Sequence, residues 1–104
     1  MGAQGSTTVD FGAFPGSTDA SVIVSGQAGI VAGSAVEAWI KLEATADHSV
    51  DEHMLVRVGI DAGNIVVANS FTIYVTAPDN PGGGGPYADS IRLHGLWSLW
   101  WVWN

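Results

Sequence analysis

The chain contains no cysteine and few charged residues, and basic residues are the scarcest of these. Without cysteine it has no disulfide bond, no thiolate zinc site and no thiol nucleophile, so its stability must come from packing. Charged residues make up 12% of the sequence, against roughly 25% in an average soluble domain. This thin charge cover predicts that some apolar surface meets another chain.

The shortage of basic residues limits the classes of partner. Lys41, Arg57 and Arg92 stand against ten acidic residues, which gives a formal net charge of -7. Because such a chain is repelled by phosphate groups, we expect neither nucleic acid nor anionic membranes as partners. No apolar run approaches the roughly 20 residues of a membrane span, and the first six residues do not resemble a secretory signal. We expect a protein made in the cytoplasm and not inserted into a membrane.

Short β-favouring runs, separated by turn residues, recur along the 104 residues. Their spacing of about 8 to 12 residues is typical of a sandwich or barrel. The predicted fold class is all-β, a single antiparallel β-sandwich of six or seven strands over residues 1–104. We predict a flexible N-terminal arm at 1–5 and a Gly/Pro-rich loop at 78–90. The predicted strands are 6–14, 20–27, 34–42, 52–61, 65–68, 70–77 and 91–104.

Two of these assignments have specific local grounds. Segment 52–61 has an apolar face of alternating residues, and its β-branched content and Gly59 favour a strand over the rival helix. Segment 61–64 is predicted to be a hairpin connection, because Gly63 and Asn64 tolerate positive φ at little cost.

The closing segment, 96–103, is aromatic on both faces. In an extended strand one face holds Trp97, Leu99, Trp101 and Trp103. The other face holds Leu96, Trp100 and Val102. Since burial of an indole stabilises by roughly 25 cal/mol per Å², we predict that the first row forms an oligomer interface. An ordinary core strand is the alternative, and one exposed indole such as that of Trp103 could stack on a sugar or a cation in either case.

Residues 47–53 concentrate three acidic residues and two of the three histidines. The candidate ligand-binding residues are Asp47, His48, Asp51 and His53, together with Trp39 on the polar face of the 34–42 strand. Carboxylate and imidazole groups at this density can hold a divalent ion. Their spacing matches neither a calcium-binding loop nor a His-Glu-x-x-His zinc helix. We therefore predict a solvated or interface loop without metal or cofactor, with a metal site as the alternative.

Catalytic motifs are missing from the sequence. There is no Gly-x-Ser-x-Gly nucleophile elbow. The four glycines at 82–85 are not followed by the Lys and Ser or Thr of a phosphate-binding loop. We expect a protein that is not an enzyme.

A family resemblance rests on three stretches taken together. They are Phe11-Gly12-Ala13-Phe14-Pro15 leading into 20–26, the hairpin-like 64–77, and the closing 96–103. In this order they resemble the β-sandwich adhesion modules called H-type lectins and their relatives at the tips of bacteriophage tail fibres. Separately, 44–53 and the closing Trp-Val-Trp-Asn resemble small uncharacterised proteins encoded among phage and prophage structural genes.

The resemblance implies a six-stranded antiparallel sandwich that trimerises along strands near a three-fold axis, with sugars bound by polar and aromatic residues at the trimer edges. We expect a bacteriophage virion protein of the tail-fibre or adhesion type that binds host surface carbohydrate. The alternative is a capsid decoration or tail connector protein without a ligand, which contacts other virion proteins and for which the 1–6 arm is the candidate docking segment.

Overall fold

The described part of the chain is built mainly of β-strands. A computed structural model describes residues 2–13, 16–56, 58–77 and 92–104. In chain order these residues form β1 (Ala3–Asp10), β2 (Asp19–Val24), β3 (Val36–Ile40), α1 (Val50–Leu55), β4 (Gly59–Val66), β5 (Ser70–Thr76) and β6 (Leu96–Trp103). The prediction of a β-rich chain is confirmed. The predicted loop at 78–90 lies outside the described residues.

The six strands form two antiparallel sheets of three strands each. In the first sheet β6 lies between β1 and β3, and in the second β5 lies between β2 and β4. In the first sheet β6 pairs with two strands that are distant in the sequence, whereas in the second β5 pairs with the distant β2 and with β4, which directly precedes it. Within the described residues, no helix has the length and apolar character needed to span a bilayer.

Side chains from both sheets share one apolar core. The inner row of β6 is almost fully buried, with exposed fractions of 2%, 0%, 8% and 4% at Trp97, Leu99, Trp101 and Trp103. The inner row of β5 faces it with Phe71, Ile73 and Val75, each 0% exposed. The rings of Phe71 and Trp101 meet edge to face, with centroids 5.4 Å apart. This contact joins the central strands of the two sheets.

The burial of the β6 row within one chain corrects the expectation that a neighbouring subunit must cover it. The row is a core strand, which was the alternative. Space for the indoles comes from small residues on the flanking strands, because Gly5 and Ala38 both lie opposite Trp101. A Cβ atom at Gly5 would lie 2.7 Å from the Trp101 ring. The alternation of residues in the sequence predicts the indole row. The small residues opposite it can be identified only once the register of the paired strands is known.

The predicted N-terminal arm is also corrected. Residues 3–5 belong to β1 and pair with Trp103, Val102 and Trp101. The start of β1 therefore closes one side of the indole row and does not form a free segment. A docking role for these residues as a flexible arm is not compatible with this pairing.

The segment predicted as a strand at 52–61 divides into a helix and a strand. Helix α1 begins after Ser49, whose hydroxyl accepts a hydrogen bond from the Glu52 N–H at 3.2 Å while the Ser49 N–H donates to Glu52 Oε1 at 2.9 Å. This reciprocal capping box stabilises the first turn. The rival helix is thus correct up to Leu55, and β4 begins only at Gly59.

The predicted hairpin connection at 61–64 lies inside β4. The strand continues through it, with an irregular register between Gly63 and Val66 and a positive φ of 49° at Asn64. The chain reverses at 67–69 instead, where Ala68 has a φ of 60°. Asn64 therefore accommodates a bulge in the strand, and the tight turn follows a few residues later.

We expect Trp101→Ala to lower the free energy of unfolding by about 3–5 kcal/mol, because it leaves a cavity between β5 and β6. Trp39→Ala, which removes an indole that is 46% exposed, should change it by no more than about 0.5 kcal/mol. Urea denaturation of both variants measures the difference. Equal losses would show that the inner row is not the core of the single chain.

Candidate functional site

The Asp47–His53 segment lies along the part of β6 that extends past the end of β3. There, side chains bond to the β6 backbone in place of a neighbouring strand. The Leu96 N–H donates to Asp47 Oδ2 at 2.8 Å, and the Leu96 carbonyl accepts from Thr45 Oγ1 at 2.7 Å. The Ser98 N–H donates to His53 Nε2 at 2.9 Å. These bonds satisfy backbone groups that would otherwise be left without partners at the sheet edge.

His53 holds its place through both ring nitrogens. Its side chain is 2% exposed, and Nδ1 lies 2.8 Å from the carbonyl oxygen of Ser49. A carbonyl only accepts and the Ser98 N–H only donates, so Nδ1 carries the hydrogen and Nε2 is bare. The geometry therefore assigns the neutral Nδ1–H tautomer, which links the start of α1 to β6.

His48 has a different arrangement. Its Nδ1 lies 3.0 Å from Glu52 Oε2, and its Nε2 bonds to the carbonyl oxygen of His94. Both partners are acceptors, so both bonds form only when both ring nitrogens carry hydrogen. The ring stacks on Trp97 with centroids 3.9 Å apart and planes 23° apart. A protonated His48 in this place combines an ion pair with a cation–π contact.

Glu52 connects the helix cap to this histidine. One carboxylate oxygen pairs with His48 and the other accepts the Ser49 N–H. The hydrogen bond with the His48 ring, followed by that from the Ser49 backbone, lowers the pKa of Glu52 below its ordinary value of 4.5. Sequence reasoning missed Glu52, although the Ser-x-x-Glu spacing is a recognised signal for a helix start.

The structure brings three of the predicted ligand-binding residues together and leaves the fourth apart. Asp47, His48 and His53 all bond inward to the fold, while Asp51 is exposed in the first turn of α1. Among the described residues no group of three His, Asp or Glu side chains is arranged to hold a metal ion. Asp47 and His53 bond to the β6 backbone in place of a neighbouring strand, and His48 bonds to the carbonyl of His94 just before β6, so all three side chains support the edge of the first sheet.

Trp39, the fifth predicted residue, lies on the outer face of the first sheet. It is 46% exposed and stands directly opposite Trp100 of β6, which is 40% exposed. Directly opposed residues on one face have Cβ atoms about 4.5–5.5 Å apart. Two large indoles thus project from adjacent strands at the surface, on a sheet whose inner face is the core. Trp100 was placed correctly on the second face of β6, but its pairing with Trp39 required the register.

Polar side chains surround this indole pair. Ser6 lies opposite Trp100 on β1, while Gln4 and Glu37 flank Val102 in the next row. Ser6, Gln4 and Glu37 are exposed, and their side chains make no hydrogen bond within the described part of the chain. We call the outer face formed by Trp39, Trp100 and these three residues the tryptophan face.

In the part of the chain that the structure describes, one basic residue borders the tryptophan face. The Lys41 Nζ lies 4.4 Å from the centre of the Trp100 ring and 2.6 Å from Glu43 Oε1. This hydrogen bond from Lys41 lowers the pKa of the Glu43 carboxyl group. Glu43 therefore stays ionised and offsets the positive charge of Lys41.

An apolar groove opens where the edges of β3 and β4 approach each other. Its volume is about 630 Å³, and His53 is the one polar residue among the described residues that line it. The others are Ala38, Trp39, Ile40, Leu42, Met54, Val56, Val58 and Ile60. Leu42 and Met54 are 58% and 59% exposed. The molecule thus presents a second apolar surface next to the tryptophan face.

Comparison with protein-family models, with curated proteins and with solved structures finds no match to this chain. The resemblance to H-type lectins and to phage structural proteins therefore remains a prediction.

We expect His53→Leu to lower the free energy of unfolding by about 1–3 kcal/mol, because leucine fills much of the space but leaves the buried Ser98 N–H without an acceptor. Asp51→Asn, at an exposed position of the same segment, is the control and should have little effect on the free energy of unfolding. Chemical denaturation measures both. Similar values for the two variants would contradict the structural role of His53.

Glu52→Gln should reduce the acid sensitivity of the protein. Because the pKa of Glu52 is lowered in the folded state, its ionised form stabilises the fold above its unfolded pKa, and this contribution is lost as the pH falls through the folded pKa. Urea midpoints of wild type and variant, measured between about pH 6 and about pH 3, should therefore converge toward low pH. A pH-independent difference would mean that ionisation of Glu52 is not linked to folding.

Proposed function

We propose that this chain is a bacteriophage virion protein of the tail-fibre or adhesion type, and that it binds host surface glycan through the tryptophan face. The single observation that supports this function is the exposed Trp39–Trp100 pair on the outer face of the first sheet. A sugar ring presents an apolar face of C–H groups and a rim of hydroxyl groups. The paired indoles match the apolar face, and the surrounding polar side chains match the rim.

Stability alone does not account for the exposed pair. The core already holds Trp97, Trp101 and Trp103, and exposed indoles forgo the free energy that burial provides. Exposed apolar patches with a polar rim are typical of surfaces that bind a ligand or another protein. The polar neighbours without internal hydrogen bonds favour a ligand rich in hydroxyl groups.

The proposal includes a two-layer β-sandwich that assembles as a homotrimer. The shared core of the two sheets supports the sandwich, and the lectin resemblance supports the trimer, in which three tryptophan faces would act together and raise the avidity for a cell surface. A net charge of -7 disfavours nucleic acid as a partner. The proposed role needs no catalytic step and no cofactor.

Capsid decoration or tail connection is the second candidate function. The apolar groove between β3 and β4 favours it, because the exposed Leu42 and Met54 would be covered by a neighbouring virion protein. In that case the groove, and not the tryptophan face, is the functional surface. The two functions predict different partners for the purified protein.

Native mass spectrometry and a glycan array test the proposal together. We expect a species of three chains that binds specific printed glycans. A monomer under native conditions would contradict the trimer. Binding to assembled capsids or tails, with no binding to any printed glycan, would support the connector function instead. The charge-neutral variant Met54→Ser, which changes the groove alone, should leave glycan binding unchanged.

A further inference from the structure

The tryptophan face is ordered in rows across three strands. One row runs Ser6, Trp100, Trp39, and the next runs Gln4, Val102, Glu37. Neighbouring strands lie about 4.8 Å apart, and successive residues on the same face of a strand lie about 6.7 Å apart. A sugar ring stacked on either indole therefore has polar side chains within reach at its rim.

The polar atoms on this face suit uncharged hydroxyl groups. The carboxylate of Glu37 is an acceptor only, the hydroxyl of Ser6 both donates and accepts, and the amide of Gln4 does the same. A sugar hydroxyl is itself both donor and acceptor, so it can satisfy each of these groups. An anionic sugar substituent can accept but not donate, so it offers nothing to Glu37.

The charges around the tryptophan face also favour an uncharged ligand. Glu37 is exposed and makes no ion pair within the described residues, while the ammonium group of Lys41 is already paired with Glu43 at 2.6 Å. The tryptophan face together with the bordering Lys41 and Glu43 thus has two carboxylates and one ammonium group. The acidic balance of the whole chain adds to this local excess of negative charge.

From these observations we propose that the tryptophan face binds neutral glycans and discriminates against sialylated, sulfated or phosphorylated ones. This inference rests on the proposed function and names the ligand class for the same site. Indole stacking supplies affinity for any pyranose ring with an open C–H face. Glu37 repels an anionic substituent, and Lys41 does not attract one because Glu43 already neutralises its charge. An anionic glycan would therefore lose hydration beside a carboxylate without gaining a free cation, which disfavours its binding.

An array that prints each neutral glycan beside its sialylated or sulfated counterpart tests this inference. We expect binding to neutral members of the pairs. Trp39→Ala and Trp100→Ala should each reduce that binding at least roughly tenfold, because each removes an indole with a large apolar contact area for the sugar. Tyr74→Ala is the matched control, because Tyr74 is 44% exposed on the outer face of the second sheet, and it should bind like the wild type.

The charge variants test the selection separately. Replacing both carboxylates, as Glu37→Gln with Glu43→Gln, should raise relative binding of the anionic counterparts by roughly fivefold or more, since it removes repulsion and frees Lys41. Asp19→Asn, on the outer face of the second sheet, removes a charge elsewhere and should leave the ratio unchanged. Thermal melting confirms that each variant folds, and Trp39→Ala alone decides the site if Trp100→Ala does not fold.

The outcomes separate this inference from the function on which it rests. Stronger wild-type binding to the anionic member of each pair would overturn the ligand class while glycan binding stands. Neutral binding unaffected by either Trp variant would overturn the site. No binding to any printed glycan would overturn both.

Discussion

Packing of the indole row of β6 against small residues is the constraint on which the rest of the fold depends. Trp101 fits because Gly5 and Ala38 lie on either side of it, and because Phe71 meets its ring from the second sheet. The first sheet can therefore place bulky indoles on the inner face of its central strand, with small residues on both sides of Trp101. Alternation of large and small residues across a sheet fills the core without voids.

Strand β6 extends past the end of its partner β3, and a cluster of side chains completes the hydrogen bonding of the sheet there. Asp47 and His53 accept hydrogen bonds from the β6 backbone where a strand would have done so. A Cβ atom at Gly95 would lie 2.6 Å from the Asp47 carboxylate, and its φ of 72° favours glycine. The chemistry that suggested a ligand site from sequence thus serves the polar edge of the fold.

The sequence predicted the β-rich class and the two faces of β6 because both depend on alternation within a strand. It could not predict which face was covered, since that depends on Gly5 and Phe71, which are distant in the chain. At 50–61 the local signals conflicted: the capping box of Ser49 and Glu52 favours a helix, while the β-branched residues that follow favour a strand. Both signals were correct, because the first part of this segment forms helix α1 and the last part begins strand β4. In the candidate site, Trp39 was predicted because it lies on the polar face of its strand. Its pairing with Trp100 could be recognised only from the register of the two strands.

Strand β6 carries both the buried core row and Trp100, one of the two exposed indoles. Trp97, Leu99 and Trp101 fix the backbone of β6 by burial, so Trp100 between them projects from a rigid support. Lys41 further restrains its ring by lying 4.4 Å from the ring centre. A binding residue held in this way loses little conformational entropy when a ligand stacks on it. Burial of the inner row therefore stabilises the fold and also holds the outer face rigid for the neutral glycan that we propose as its ligand.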